Sequence, residues 1–253
     1  MTSSEPSEAG FRAEVRLVDG GEVAIGRYAL PAAAQLGPLV DQWLSPEEAS
    51  VLGRLRSPVA ARAWLGGRVA IKQALVWCGR VDVADAHRVS IRSRTSGGKR
   101  DRPTAWLDAT PLEASLSLTH DEQMAIAAIG AGSATVGVDT VRIADATASV
   151  EAAWFTPAEK RLCSGRRTRR AIVWAVKEAA YKAIQRGEPF RPLRLEASLE
   201  AHGHWRCACD TGERMPVDVW RPGPGRVAAL ARARPADAAA PRPRETLLAA
   251  GDR

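Results

Sequence analysis

Ser45-Pro46-Glu47-Glu48 and Thr156-Pro157-Ala158-Glu159 carry one instruction twice. Each offers a hydroxyl at a helix N-cap, a proline at the first helical position, where no amide is needed, and a glutamate at the third, whose carboxylate can reach back to the cap amide. Both are expected to start helices. Each is followed by a second stretch with apolar residues at helical spacing, Arg62 to Trp77 and Arg170 to Ile184. Shifting the first by 110 positions puts Arg68 on Glu178 and Lys72 on Lys182. Two amphipathic helices always align in some register, so this pairing suits chance as well as duplication.

Short alternating or β-branched runs follow each helical pair. They are Arg88 to Arg92, Ala114 to Leu118, Met124 to Ile129 and Thr135 to Ile143, then Leu193 to Ala197, His204 to Cys209, Pro216 to Trp220 and Arg226 to Ala231. Their period is that of strands. Helices followed by mostly antiparallel strands, twice over, predict an α+β protein, a pseudodimer of two similar halves with the active site at their junction. The expected halves are residues 11–130 and 131–232, while residues 1–10 and the Ala/Pro/Arg-rich residues 233–253 are expected to be disordered.

Composition sets the broad class. The 253 residues are 45% hydrophobic and 26% charged, with no apolar run of membrane-spanning length, so a water-soluble globular chain is expected. Met1 to Gly10 lacks the basic-then-apolar order of a signal peptide, which points to the cytoplasm. Cys78, Cys163, Cys207 and Cys209 show no C-x-x-C spacing and are expected to be reduced thiols. The net charge of +7 favours an acidic partner without naming it.

Four segments bear chemistry. In Trp174-Ala175-Val176-Lys177-Glu178-Ala179-Ala180-Tyr181-Lys182, Glu178 and Lys182 stand four apart and stack on one helix face, offering a carboxylate and an ammonium to one ligand. A plain surface ion pair explains the same spacing. In Thr135-Val136-Gly137-Val138-Asp139-Thr140, an aspartate interrupts a β-branched run. A buried carboxylate needs a partner, and facing a helix-borne glutamate it would make an oxygen-rich hard-cation site. The alternative is an Asp that opens a turn, with Gly137 beside it. Ser115-Leu116-Ser117-Leu118-Thr119-His120 puts His120 at a strand end, where it could meet a phosphate or simply serve structure. Finally, Arg92 to Arg100 holds two glycines between basic residues, a turn suited to phosphate or to solvent.

In this order the four segments resemble the phosphopantetheinyl transferase superfamily, whose signature is G-[VI]-D followed by W-x-x-K-E-[AS]-x-x-K. Gly137-Val138-Asp139 and Trp174 to Lys182 meet it, preceded by Ser117-Leu118-Thr119-His120 for the S-L-[ST]-H element. Arg94-Thr95 and Gly98-Lys99 resemble the R-T-x-x-G-K turn, and Gly67 to Lys72 the first-half G-R helix. The length is similar to that of the surfactin-synthetase type. Val141, where that type usually carries a second acid, is closer to the short holo-acyl-carrier-protein synthase type.

The resemblance implies that Asp139 and Glu178 bind Mg²⁺, and that Lys182, His120 and Arg94, with Arg62 and Lys99 in support, contact coenzyme A phosphates. Asp121, next to His120, is a further metal candidate, with a turn-forming role as its equal rival. The implied reaction moves the phosphopantetheine arm of coenzyme A, as co-substrate, onto a serine of an acidic apo acyl or peptidyl carrier protein, with Glu178 and Lys182 catalytic. A monomer is expected, without nucleic-acid or membrane partners. The competing readings are a non-catalytic coenzyme A or carrier-binding module of the same fold and, on charge alone, a nucleic-acid binder.

Overall fold

In the computed structural model, which describes residues 10–18, 21–30, 36–94, 100–184 and 189–234, both glutamate-bearing segments start helices: α2 (Pro46–Gly53) and α5 (Pro157–Cys163). Ser45 Oγ accepts the Glu48 amide at 3.3 Å and Glu48 Oε2 accepts the Ser45 amide at 3.2 Å. Thr156 and Glu159 repeat the exchange at 3.3 and 2.8 Å.

The two glutamates then do more than cap. Both are buried, as are the lysines they meet on the long helices α3 (Pro58–Trp77) and α6 (Arg167–Ile184). Lys72 Nζ donates to Glu48 Oε2 and to the Trp43 carbonyl, both at 2.5 Å, and Lys177 Nζ donates to Glu159 Oε2 at 2.5 Å and to the Trp154 carbonyl at 2.9 Å. The other oxygen of each carboxylate accepts an amide from the first strand after the long helix, Ile91 at 3.0 Å or Ala197 at 2.7 Å. Each half is therefore clamped by one buried ion pair joining cap helix, long helix and sheet. Among the described residues, the first half adds a second cation, Arg68, 3.3 Å from Glu48 and stacked over Trp64.

These clamps correct the register of the repeat. Lys72 corresponds to Lys177, 105 positions on, rather than to Lys182. Ala70-Ile71-Lys72-Gln73-Ala74 then lies over Ala175-Val176-Lys177-Glu178-Ala179, and Arg68 over Val173 rather than Glu178. The 110-position shift fails because glutamate and lysine are 24 residues apart in the first half and 18 in the second.

Every expected strand is present, and the α+β class holds. A four-stranded antiparallel sheet runs β1 (Phe11–Val18), β2 (Gly21–Ala29), β7 (Met124–Gly130), β6 (Ser115–His120). A five-stranded one runs β8 (Thr135–Arg142), β12 (Arg226–Ala233), β11 (Arg214–Trp220), β10 (Trp205–Cys209), β9 (Leu195–Leu199). A three-stranded sheet holds β3 (Val89–Arg94), β4 (Arg100–Leu107) and β5 (Thr110–Pro111). Strands β1, β2, β4 and β5 were not anticipated. Helices α1 (Leu36–Trp43) and α4 (Ala148–Trp154) precede the two cap helices, and no described helix is long and apolar enough to cross a membrane.

One apolar core lies under α3 and another under α6, and a third joins the sheets through Val23, Ile25 and Ile126 on one side and Val138, Ala228 and Leu230 on the other. At this seam β6 and β8 run side by side without a strand ladder between them. Ser115 Oγ, Ser117 Oγ and Thr119 Oγ1 instead accept the amides of Val136, Val138 and Thr140 at 2.9, 2.9 and 3.3 Å. Alternate hydroxyls thus satisfy an edge whose unpaired amides would otherwise be costly. Leu116 and Leu118, between them in sequence, pack with the first-half core.

Gly137 lies inside β8 and opens no turn. A methyl group there would stand 2.0 Å from the Ala179 carbonyl oxygen and 2.4 Å from the Ala183 nitrogen, so the missing side chain lets α6 lie directly on the strand. Gly26 gives α3 a similar approach to β2, where an added methyl would be 2.8 Å from Ala74 Cβ. The four cysteines are free, and burial pushes the thiols of Cys163 and Cys207 up to about 11 and about 12, leaving both protonated and unreactive near neutral pH.

Candidate active site

The close seating of α6 on β8 decides what Lys182 meets. Its ammonium donates to Asp139 Oδ1 at 2.8 Å, to the Val138 carbonyl at 3.1 Å and to the Leu118 carbonyl at 3.3 Å. All three of its donors are therefore used, one of them on β6 across the seam. Asp139, 6% exposed, also accepts the Thr119 hydroxyl at 3.1 Å, again on Oδ1. Its Oδ2 takes no hydrogen bond among the described residues.

Glu178 stands one helical turn before Lys182 on the same half-buried face. His120 follows Thr119 at the exposed end of β6. The structure thus joins Asp139, Lys182 and Thr119 directly and sets Glu178 and His120 next to them in the chain. Arg62 reaches the Leu30 carbonyl at 3.4 Å. Arg94 ends β3 and pairs with Arg100 in register, but its side chain, like Lys99 as a whole, lies outside the described residues.

Asp121 takes the turn role. Its Oδ1 accepts the amides of Gln123 and Met124 at 2.7 and 3.0 Å, and its Oδ2 accepts Arg226 Nε at 2.8 Å. Both oxygens are engaged in the turn and in the pair with Arg226. Burial would raise its carboxyl, but the Arg226 guanidinium and the two amides outweigh burial and hold it below the ordinary aspartate value. A depressed value in the folded state means that this contribution is complete above the ordinary aspartate range and is lost as pH falls through the lower folded-state value. Asp121→Asn lacks it at every pH. Thermal melts of wild type and Asp121→Asn are therefore expected to differ at neutral pH and to converge below about pH 4, while parallel curves would mean that the carboxyl is not depressed.

Among the described residues, no three His, Cys, Asp or Glu side chains gather as a metal cage. One or two carboxylates completed by substrate phosphates are the usual setting for Mg²⁺. A buried aspartate with an oxygen to spare, and a half-buried glutamate one helical turn before the aspartate's lysine partner, fit that donor set. Val141 packs with the second-half core.

Residues 135–221 match the 4′-phosphopantetheinyl transferase superfamily. The match begins with β8, spans α4 to α6 and ends just beyond β11, so it covers the G-V-D and Lys-Glu segments that carried the resemblance. Within residues 135–221 the resemblance holds at the level of the superfamily. A solved structure of holo-[acyl-carrier-protein] synthase from Helicobacter pylori in complex with coenzyme A is 21% identical and covers 38% of this chain and 97% of that one, with a TM-score of 0.34. No curated protein matches the sequence.

Sequence reasoning missed Thr119, whose signal was the hydroxyl at every second position of Ser115-Leu116-Ser117-Leu118-Thr119. It also missed the end of α6, where the Ala183 carbonyl accepts both Arg102 Nη2 and Thr135 Oγ1 at 2.6 Å. A cation suits a helix C-terminus, and here it comes from β4 in the other half.

Proposed function

We propose that this protein transfers the 4′-phosphopantetheine arm of coenzyme A to a serine of an apo acyl or peptidyl carrier protein. The carrying observation is the pair of buried Asp139 and half-buried Lys182, 2.8 Å apart at the seam, inside the stretch that matches the transferase superfamily. The serine oxygen attacks the β-phosphorus of coenzyme A, the phosphoanhydride bond breaks, and adenosine 3′,5′-bisphosphate leaves. Glu178 takes the serine proton, directly or through a water. Asp139 and Glu178 would hold Mg²⁺, which when bound neutralises the pyrophosphate. Lys182 anchors Asp139 Oδ1 and adds positive charge beside the phosphates, and His120 with Arg94, Arg62 and Lys99 is assigned to the phosphate groups of coenzyme A. The protein's contribution is mainly position and charge.

Basic residues at the start of α6 would steer an acidic carrier, and the structure narrows which ones are available. Arg170 pairs with Glu151, and Arg169 lies over Trp205 at 5.9 Å. Arg166 and Arg167 are exposed and carry the steering role.

The reading is tested by incubating the protein with coenzyme A, Mg²⁺ and a panel of apo carrier proteins and measuring intact carrier mass. Gain of one phosphopantetheine on at least one carrier, lost when Mg²⁺ is chelated, is the expected result. No gain on any carrier would favour a binding module that has kept only the fold.

A further inference from the structure

Of the three hydroxyls that β6 lays along β8, two have one task and the third has two. Ser115 and Ser117 each accept a single amide. Thr119 accepts the Thr140 amide at 3.3 Å and also donates its proton to Asp139 Oδ1 at 3.1 Å. A hydroxyl has one proton, and an ionised carboxylate can only accept, so the amide behind Thr119 fixes the direction in which that proton points. Thr119 and Asp139 are 7% and 6% exposed, so water does not compete for the contact. The residue at this rung is also the β-branched one, with a narrower choice of side-chain rotamers than serine.

We propose that Thr119 is a positioning residue for the metal site: it holds the Asp139 carboxylate from across the seam so that Oδ2 faces the cation and Oδ1 does not. Lys182 binds the same Oδ1 from α6 at 2.8 Å, so one oxygen is secured from both halves and the carboxylate cannot rotate about its Cβ–Cγ bond without breaking both contacts. A ligand secured in this way binds metal without first being ordered. Removing such an outer partner typically weakens metal binding by roughly 10–100-fold. The inference rests on the proposed transferase reading for the metal itself.

The test measures Mn²⁺ affinity by electron paramagnetic resonance, with coenzyme A present and no carrier, alongside the Mg²⁺ dependence of transfer. Thr119→Val removes the donor at nearly constant volume and Thr119→Ala repeats the loss should the valine variant fold poorly. Thr119→Ser keeps the donor, and Ser117→Ala removes a neighbouring rung that touches no carboxylate. The expected result is a Mn²⁺ dissociation constant raised roughly 10–100-fold in Thr119→Val and Thr119→Ala. Thr119→Ser and Ser117→Ala should stay within about threefold of wild type, below that range. Equal losses in the Thr119 and Ser117 variants would reduce the row to a structural ladder, and an unchanged constant in Thr119→Val would overturn positioning outright. A wild type that transfers the arm while Thr119→Val behaves normally overturns this inference alone, whereas a wild type that neither transfers nor binds Mn²⁺ overturns the transferase reading with it.

Discussion

Glu178→Gln is expected to abolish transfer and leave the fold intact. The substitution keeps the size of the side chain and removes its charge, and with it both the proton acceptor for the serine and one of two carboxylates available to a cation. Loss of general-base help alone typically costs about 10²–10⁴-fold, and a weakened metal site adds to that. Glu178 is only half-buried and takes no part in the Lys177–Glu159 clamp beside it, so melting should move little. Intact-mass kinetics across a Mg²⁺ titration, with thermal melts on the same samples, provide the check. Turnover near wild type at saturating Mg²⁺ would remove Glu178 from the mechanism.

The largest effect on stability is expected at Glu159. Glu159 and Lys177 are both 0% exposed. Glu159→Gln keeps one oxygen, which can serve the Thr156 amide or the Ala197 amide but not both, and it leaves the Lys177 ammonium without its countercharge. Breaking one side of a buried pair costs about 3–5 kcal/mol, a large part of a domain's stability. Adding Lys177→Met should recover part of the loss, since an apolar replacement of the whole pair is often near neutral. Urea unfolding of the single and double variants decides it; a double variant no more stable than Glu159→Gln would place the cost in the cap and strand bonds instead. In the first half, burial lowers the Lys72 ammonium first and the Glu48 charge only partly restores it, and Arg68 shares that same carboxylate.

Local chemistry was the legible part of the sequence. Both capping boxes, both long helices and the strands after them follow from spacing and side-chain type, since caps and periodicity act over only a few residues. The 110-position alignment missed the likeness of Ala70 to Ala74 and Ala175 to Ala179, because segments of unequal length separate glutamate from lysine in the two clamps. Strand β1 was legible and overlooked: Phe11, Ala13, Val15 and Leu17 alternate with Arg12, Glu14 and Arg16 in the period of a strand, although Val15 and Leu17 remain exposed at 50% and 70%. Within the site, Asp139, Glu178 and Lys182 share a short span of chain and stood out as motifs. Thr119, Arg102 and Arg226 act across the seam, and no local rule reports a partner that tertiary structure alone supplies. The alternative of a turn at Asp139 leaned on Gly137 for the same reason, since the purpose of that glycine is fixed by a helix that comes some forty residues later in the chain.

The hydroxyl row between β6 and β8 also bears on the order in which the chain assembles. Thr140 reaches Thr119 across 21 residues, but its hydroxyl meets the Val227 carbonyl of its own sheet across 87. Closing a loop about four times longer costs roughly 1.2 kcal/mol more in chain entropy. The contact between the halves is therefore the short-range one, and closure of the five-stranded sheet is the long-range one. On a ribosome, β8 can dock on the newly made first half before β12 has been synthesised, leaving Asp139 in place to await the helix that brings Lys182.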